Sequence, residues 1–224
     1  QPRARLFRHD FDVPYVNRRD IRMVPNTFEA YLLFDETDRA FNYVLGHVRK
    51  IKTFSSERFV HMSEAAGADG SSDGVTMAGA LFRFSPTAGI GAVNHYGHNT
   101  FNTLYAEASG PWDRTDPFGL RLSGQYTHQD SVGDELAGEL STYHAGVKLD
   151  LSYGGAVVTL AYTRTGDGDG IRNPWGGSPS YASRISRTST APPRRPGRPG
   201  PDRPPSHSQP RSPTPLTEVS HGNQ

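Results

Sequence analysis

The chain has 224 residues, enough for one domain of ordinary size, with 34% apolar residues and a mean hydropathy of −0.64. No stretch approaches 18 consecutive apolar residues, which excludes a membrane-spanning helix, and the absence of cysteine excludes disulfides and thiolate metal sites. The net charge of +1 is uneven, since residues 184–224 carry seven Arg against one Asp and one Glu, and the body before them is acidic.

The first predicted element is a polar loop over residues 12–26. It places several charged side chains beside Tyr15 and Asn17 before Pro25 ends it, and these are Arg18, Arg19, Asp20 and Arg22. An alternating strand begins directly afterwards, at Thr27. Charged loops that run into a membrane-type strand are where channels form their narrow points.

From residue 27 to residue 165 the apolar residues recur with a period of two, which is typical of strands. The clearest case is 143–153, followed by a Gly154-Gly155 hairpin signal. The predicted fold class is all-β, an antiparallel up-and-down meander of about eight strands, near 27–35, 41–52, 74–85, 89–97, 100–110, 119–130, 141–153 and 155–165.

The predicted connections alternate between short and long, except for a short one at 98–100. Short turns on one rim and long loops on the other are typical of a transmembrane β-barrel, and strands of about 9–12 residues suit a tilted crossing. A soluble antiparallel sheet with one solvated face shows the same alternation and stays open as an alternative.

Aromatic residues at the strand ends favour the barrel, because such residues form its interfacial girdle. They are Phe34, Phe82, Phe84 and Tyr153. Charged residues opposite the apolar positions are predicted to face the lumen, namely Glu29, Arg49, Glu107, Arg121 and Lys148. Lys50 and Lys52 instead share parity with apolar residues, which predicts either contact with lipopolysaccharide phosphates or a register shift near the strand end.

The last 41 residues, 184–224, contain ten of the 18 Pro and no aromatic residue. This composition predicts a disordered tail. Its Arg, Pro and Ser content also fits a GC-rich gene read out of frame, which we prefer to a nucleic-acid-binding arm.

No enzyme is expected. His95 and His98 are three apart without a third ligand, and the GDGDG stretch at 166–170 lacks the spacing of a calcium loop. The sequence therefore predicts no metal and no cofactor.

Three segments resemble conserved segments of the OprD family of outer-membrane porins. They are PYVNRRDIRMVPNTFEAY (14–31), FVHMSEAAGADG (59–70) and GDGDGIRNPWGGSPSYAS (166–183), and the resemblance covers about residues 11–183. It implies an 18-stranded barrel in the bacterial outer membrane, monomeric or trimeric. Such a barrel contacts outer-membrane lipid and lipopolysaccharide, and passes amino acids, carboxylates or similar nutrients by facilitated diffusion.

The resemblance also implies that two long loops fold inward, one ending at Asn26 and one at 166–183. Arg22 matches the family arginine that faces the constriction, so the predicted constriction residues are Arg22, Arg19 and Asp20. A guanidinium suits a carboxylate because it can donate two parallel hydrogen bonds.

The expected domains are a partial barrel at 1–183 and the tail at 184–224, because the family pattern stops where the tail begins. Two alternatives remain at this point. One is a secreted soluble β-sandwich that binds carbohydrate, and the other is a non-functional product of a disrupted porin gene.

Overall fold

The computed structural model describes residues 2–19, 24–35, 40–111, 113–115 and 118–181. They form one sheet of eleven strands and one helix of four residues, α1 (Met62–Ala65). The strands are β1 (Arg3–His9), β2 (Thr27–Asp35), β3 (Phe41–Lys52), β4 (Val60–His61), β5 (Val75–Arg83), β6 (Gly89–Gly97), β7 (Phe101–Ser109), β8 (Asp113–Thr115), β9 (Phe118–Ser131), β10 (Ser141–Tyr153) and β11 (Ala156–Thr165).

The sheet is an antiparallel meander in which nine strands follow the order of the chain, while β4 pairs with β3 and β8 pairs with β9 at its margins. The predicted all-β class is confirmed, and all eight predicted strands are present within two residues of their expected ends. No helix in the described part of the chain is long and apolar enough to cross a membrane.

Strand β1 is an addition to the predicted set. Its sequence, RARLFRH, carries arginines on both faces and so shows no period of two. It forms instead through its partner, because Arg3 to His9 pair with Phe34 to Phe28 of β2. Pairing with an apolar neighbour here overrides a weak local signal.

The two faces of the sheet differ in what covers them. We call inner the face against which segments 10–19 and 166–181 lie, and outer the opposite face. Strand registers assign every second residue to the outer face, and many of these are exposed apolar side chains, including Tyr31, Leu33, Leu45, Ile90, Leu104, Leu120, Leu122, Tyr126, Val147, Leu151, Leu160 and Tyr162. An apolar outer face is what a strand in contact with lipid requires.

A β-bulge at Arg49 changes the alternation within β3. Glu29 pairs with Lys50 and Ala30 with Val48, so Arg49 is the extra residue. Val48 and Ile51 are both fully buried on the inner face, which leaves Arg49 and Lys50 on the outer face. The register shift that was one of the two explanations for Lys50 and Lys52 is therefore present, and it leaves contact with lipopolysaccharide open.

Aromatic side chains surround the rim that carries the short turns. Phe41, Phe82, Phe84, Phe118 and Tyr153 are all exposed there, and the rings of Phe118 and Tyr153 lie 4.9 Å apart. Phe34 differs from the expectation, because it is only 7% exposed. It belongs to the inner face of β2, where the Arg5 guanidinium lies 5.0 Å from its ring centre.

The hydrophobic core lies between the inner face and the two segments that cover it. Its largest fully buried side chains include Phe28, Ile51, Met62, Phe101 and Trp175, contributed by strands, helix α1 and the later segment. Burial of this apolar surface fixes the covering segments on the sheet.

Candidate functional site

The first covering segment, residues 10–19, makes its turn at Val13–Val16, whose backbones exchange two hydrogen bonds of 3.0 Å. Tyr15 adopts a positive φ of 68° and points its ring into the sheet, where it is 2% exposed. Its hydroxyl lies 2.7 Å from that of Thr127, and burial raises the pKa of this phenol against the opposing effect of its hydrogen bonds. The His95 Nε2 atom lies 2.7 Å from the Pro14 carbonyl oxygen.

Trp175 attaches the second covering segment, residues 166–181. Its indole stacks on Phe101 at 4.9 Å and 10°, and its Nε1–H donates to the Met62 carbonyl oxygen at 2.8 Å. Gln129 adds two hydrogen bonds to the Arg172 backbone, accepting from its N–H at 2.8 Å and donating to its carbonyl at 2.9 Å. Gln129, on the inner face of β9, thus holds the segment in the position that Trp175 sets.

The two segments contact each other at Asn17. The Gly177 N–H donates to Asn17 Oδ1 at 2.8 Å, and Asn17 Nδ2 donates back to the Gly177 carbonyl oxygen at 2.9 Å. A Cβ at the neighbouring Gly176 would lie 2.7 Å from the Asn17 nitrogen, so this contact requires glycine there. The inner face therefore carries one joined structure rather than two independent loops.

A cavity of about 480 Å³ lies beside this structure, bounded by the first segment and the inner face. Its walls include Arg18, Asp10 and Asp12 from the segment and Tyr105 and Glu107 from β7. Arg18 forms ion pairs with Asp12 at 2.9 Å and Asp10 at 3.3 Å. The charge of the Asp12 carboxylate is the largest cause of the raised pKa of Arg18, and the hydrogen bonds to Asp12 and Asp10 add to it. The guanidinium therefore stays charged.

A second cavity, of about 270 Å³, lies toward the short-turn rim and is lined by Arg83, Glu107, Arg121, Lys148 and Tyr181, among others. Lys148 pairs with Asp150 at 3.2 Å and lies 5.5 Å from the centre of the Tyr181 ring. Within the described residues no ion pair joins Arg121, and its Nε atom is buried without a partner. Because Leu81 and Glu107 line both cavities, the two cavities are neighbours on the inner face, and we call them together the path.

The structure separates the predicted site residues into three groups. Glu107, Arg121 and Lys148 lie on the inner face and line the second cavity. Glu29 and Arg49 differ from the expectation, because the bulge and the strand register place them on the outer face with Tyr31. Their 3.5 Å ion pair lies outside the path.

The predicted constriction residues are only partly described. Arg19 is exposed and lies over the Phe54 ring at 5.5 Å, away from both cavities. Asp20 and Arg22 lie outside the described residues, as do the turn at 36–39 and the tail at 184–224. Their predicted roles stay predictions.

Several residues of the path were missed from the sequence, among them Arg18 and Tyr181. Arg18, rather than Arg19, lines the first cavity, and its partners Asp10 and Asp12 precede it by eight and six positions. Tyr181 reaches the second cavity from the end of the later segment. The pair Arg18-Arg19 does not itself show which arginine turns inward. The upstream aspartates Asp10 and Asp12 were the signal in the sequence that could have identified Arg18.

Comparison with known proteins identifies the fold and the family. A model of the family described as outer membrane porin, OprD family, matches residues 8–189. No curated protein matches the chain. The match covers most of the chain, and this is enough to assign the chain to the family.

Solved porins of Pseudomonas aeruginosa share the fold. The outer membrane protein OpdK is 19% identical with a TM-score of 0.66, and the match covers 75% of this chain and 45% of OpdK. OccK2 (OpdF), solved in complex with glucuronate, is 16% identical with a TM-score of 0.61, covering 71% of this chain and 44% of OccK2. The structure of OpdK with vanillate is 20% identical to this chain with a TM-score of 0.64, and the match covers 72% of this chain and 43% of OpdK.

The chain thus spans less than half the length of the solved porins that it matches. The family assignment replaces the alternative of a soluble carbohydrate-binding sandwich, since the family and fold are those of porin channels. The chain belongs to the OprD family of outer membrane porins, and its location is the bacterial outer membrane.

Proposed function

We propose that the protein passes small carboxylate-bearing solutes by facilitated diffusion along its inner face. The observation that carries this proposal is the second cavity, where Arg121 and Lys148 line a polar space of about 270 Å³. At about 30 Å³ for each water, a space of this size equals the volume of about nine waters, which is enough for a small solute.

Arg121 is the main anion contact in this proposal. Asp150 is the cross-strand neighbour of Arg121 and forms an ion pair with Lys148 at 3.2 Å, so within the described residues Arg121 faces this carboxylate without an ion pair of its own. A guanidinium in a narrow polar space offers a carboxylate two parallel hydrogen bonds. Vanillate and glucuronate, which appear with two of the similar porins, both carry a carboxylate.

Acidic groups on the same path allow a bound anion to leave. Glu107 lines both cavities, and Asp10 and Asp12 line the first. Carboxylates near cations weaken the retention of an anion, and passage needs release as well as binding. The predicted constriction residues Arg22, Arg19 and Asp20 belong to the same proposal, as charged groups at the entrance.

The remaining partners belong to the same proposal. The outer face contacts outer-membrane lipid, including lipopolysaccharide, and the functional unit is a monomer or a homotrimer. The rim with the long connections, among them 53–59 and 132–140, faces the cell exterior, as in barrels with short periplasmic turns.

The test is single-channel recording with the full 224-residue protein in planar bilayers, comparing glucuronate with glucose. We expect Arg121→Gln to weaken the interaction with glucuronate by about tenfold, the range for one charge-assisted hydrogen bond, and to leave glucose unchanged. The matched control is Arg164→Gln, an exposed outer-face arginine of β11.

Two results would overturn the proposal. The first is an absence of conductance in the unaltered protein under conditions where it inserts into the bilayer. The second is an equal change for glucuronate and glucose in Arg121→Gln, because Arg121 would then shape the path without binding the anion.

A further inference from the structure

The outer face carries a group of cations at the rim of the long connections. It consists of Arg8 on β1 and Arg49, Lys50 and Lys52 at the end of β3, arranged around the carboxylate of Glu29 on β2. We call these five residues the outer cation cluster. Four cations around one carboxylate leave a surplus of positive charge.

The cluster is ordered by its central carboxylate. The Glu29 side chain is 12% exposed and lies 3.8 Å from Arg8 Nε and 3.5 Å from Arg49 Nη1. The Arg8 guanidinium also lies 4.6 Å from the centre of the Phe59 ring. These contacts reduce the freedom that two long side chains would lose on binding a ligand.

Both arginines nevertheless remain accessible, since the Arg8 side chain is 65% exposed and that of Arg49 is 48% exposed. Each guanidinium carries five N–H donors, more than one shared carboxylate can accept. The cluster therefore has donors and charge left for an anionic group.

The position of the cluster indicates an amphiphilic ligand. Further along the same face of β1 and β2, Leu6 is 65% exposed, Leu33 43% and Tyr31 38%. A ligand that occupies both regions needs an anionic head at the rim and apolar chains beside the strands. The cations extend over three neighbouring strands, about 10 Å across, so one phosphate covers only part of the cluster.

We infer that the outer cation cluster binds the phosphorylated disaccharide of lipid A in the outer leaflet, with the acyl chains along β1 and β2. Lipid A carries phosphate at both ends of its disaccharide, which matches the width of the cluster. Phosphates accept charge-assisted hydrogen bonds from Arg and Lys. The inference rests on the proposed function only for which rim faces outward, and not on the passage of solute.

The test counts bound lipid A by native mass spectrometry of the detergent-solubilised full chain. We expect Arg49→Gln/Lys50→Gln/Lys52→Gln to weaken lipid A binding by roughly tenfold, because three charged contacts are lost. Two single variants are matched, Arg49→Gln on β3 and Arg164→Gln on β11, because both remove an arginine from the outer face. Only Arg49→Gln should weaken lipid A binding.

Lipid A without phosphates provides a test that needs no variant. Weaker binding of this lipid to the unaltered protein supports the inference, and equal binding overturns it. Equal binding of phosphatidylglycerol, or full displacement by inorganic phosphate, also overturns it, in favour of a general anion surface. Conductance recorded on the same preparations separates this result from the proposed function, because lipid binding without conductance would overturn only the latter.

Discussion

Asn17 and Gly177 lie 160 positions apart in the chain, and the Asn17 side chain forms with Gly177 the pair of hydrogen bonds that two neighbouring strands would form. The amide presents one donor and one acceptor in the geometry of a peptide group. The same Oδ1 atom also accepts from the Arg19 N–H at 3.1 Å. One side chain thus fixes the shape of the first inner segment and its distance from the second.

Asn17→Ala should loosen this junction. It removes both hydrogen bonds to Gly177, each worth about 1 kcal/mol, and leaves both covering segments anchored elsewhere. We expect a higher and noisier single-channel conductance with little change in the thermal stability of the sheet. Asn94→Ala, which alters an outer-face asparagine of β6, serves as the control. Unchanged noise would show that Asn17 does not limit the motion of the segments.

Gly97→Ala should displace the second segment from the sheet. A Cβ at this position would lie 2.6 Å from Thr100 Oγ1, 2.7 Å from the Phe101 carbonyl oxygen and 3.0 Å from Trp175 Cη2. Overpacking of this kind costs about 1–3 kcal/mol. Urea unfolding in lipid vesicles measures the loss, with Gly124→Ala as the control because its Cβ would meet only the Gly146 carbonyl oxygen, at 3.9 Å. Equal stability of the two variants would contradict the packing described here.

Trp175 allows the contributions of stacking and hydrogen bonding to be separated. Trp175→Phe retains a ring on Phe101 and loses the 2.8 Å bond to Met62, so we expect a loss of about 1 kcal/mol. Trp175→Ala also creates a cavity and should cost about 3–5 kcal/mol. The measurement is again urea unfolding, and equal losses in the two variants would mean that the ring itself contributes little.

Glu107→Gln should shift the ion selectivity of the path toward anions. The substitution removes one negative charge from both cavities and keeps an acceptor for the Tyr105 hydroxyl, which donates to Glu107 Oε2 at 2.8 Å. In a water-filled path a unit charge at 4 Å contributes about 1 kcal/mol, so a shift of up to about fivefold in the permeability ratio is expected.

Reversal potentials in a potassium chloride gradient measure this shift. Glu29→Gln is the control, because Glu29 lies on the outer face. If Glu29→Gln changed selectivity as much as Glu107→Gln, the assignment of the two faces would be wrong.

The strands could be predicted because their signal is local. In 143–153 each outward side chain is apolar and each inward one is small or polar, so the period of two survives along the whole strand. The Gly154-Gly155 turn adds a second local signal, and both glycines adopt positive φ, 53° and 90°. Strand β1 lacked both signals and was missed.

The faces of β2 and β3 could not be predicted in the same way. The sequence shows Glu29 among apolar neighbours, and the usual interpretation assigns the charge to water and the apolar residues to lipid. Here the inner face is itself covered by protein, so Phe28, Ala30 and Leu32 are buried inward and Glu29 points outward to Arg8 and Arg49. Where covering segments supply a second core, hydrophobicity alone does not distinguish the two faces.

The candidate site depends on contacts that are distant in sequence, which explains why local alternation singled out only its strand residues. Glu107, Arg121 and Lys148 follow from alternation within a strand. Arg18 and Tyr181 enter the path through the fold of the covering segments, and no local pattern encodes that fold.

The junction between Asn17 and Gly177 has a consequence for the order of assembly. Most contacts in the sheet join strands that follow each other closely, and such contacts form early because little chain entropy is lost. A link across 160 positions can form only after the second covering segment has been synthesised and has docked on Phe101. By this argument the described strands pair before the junction narrows the inner face.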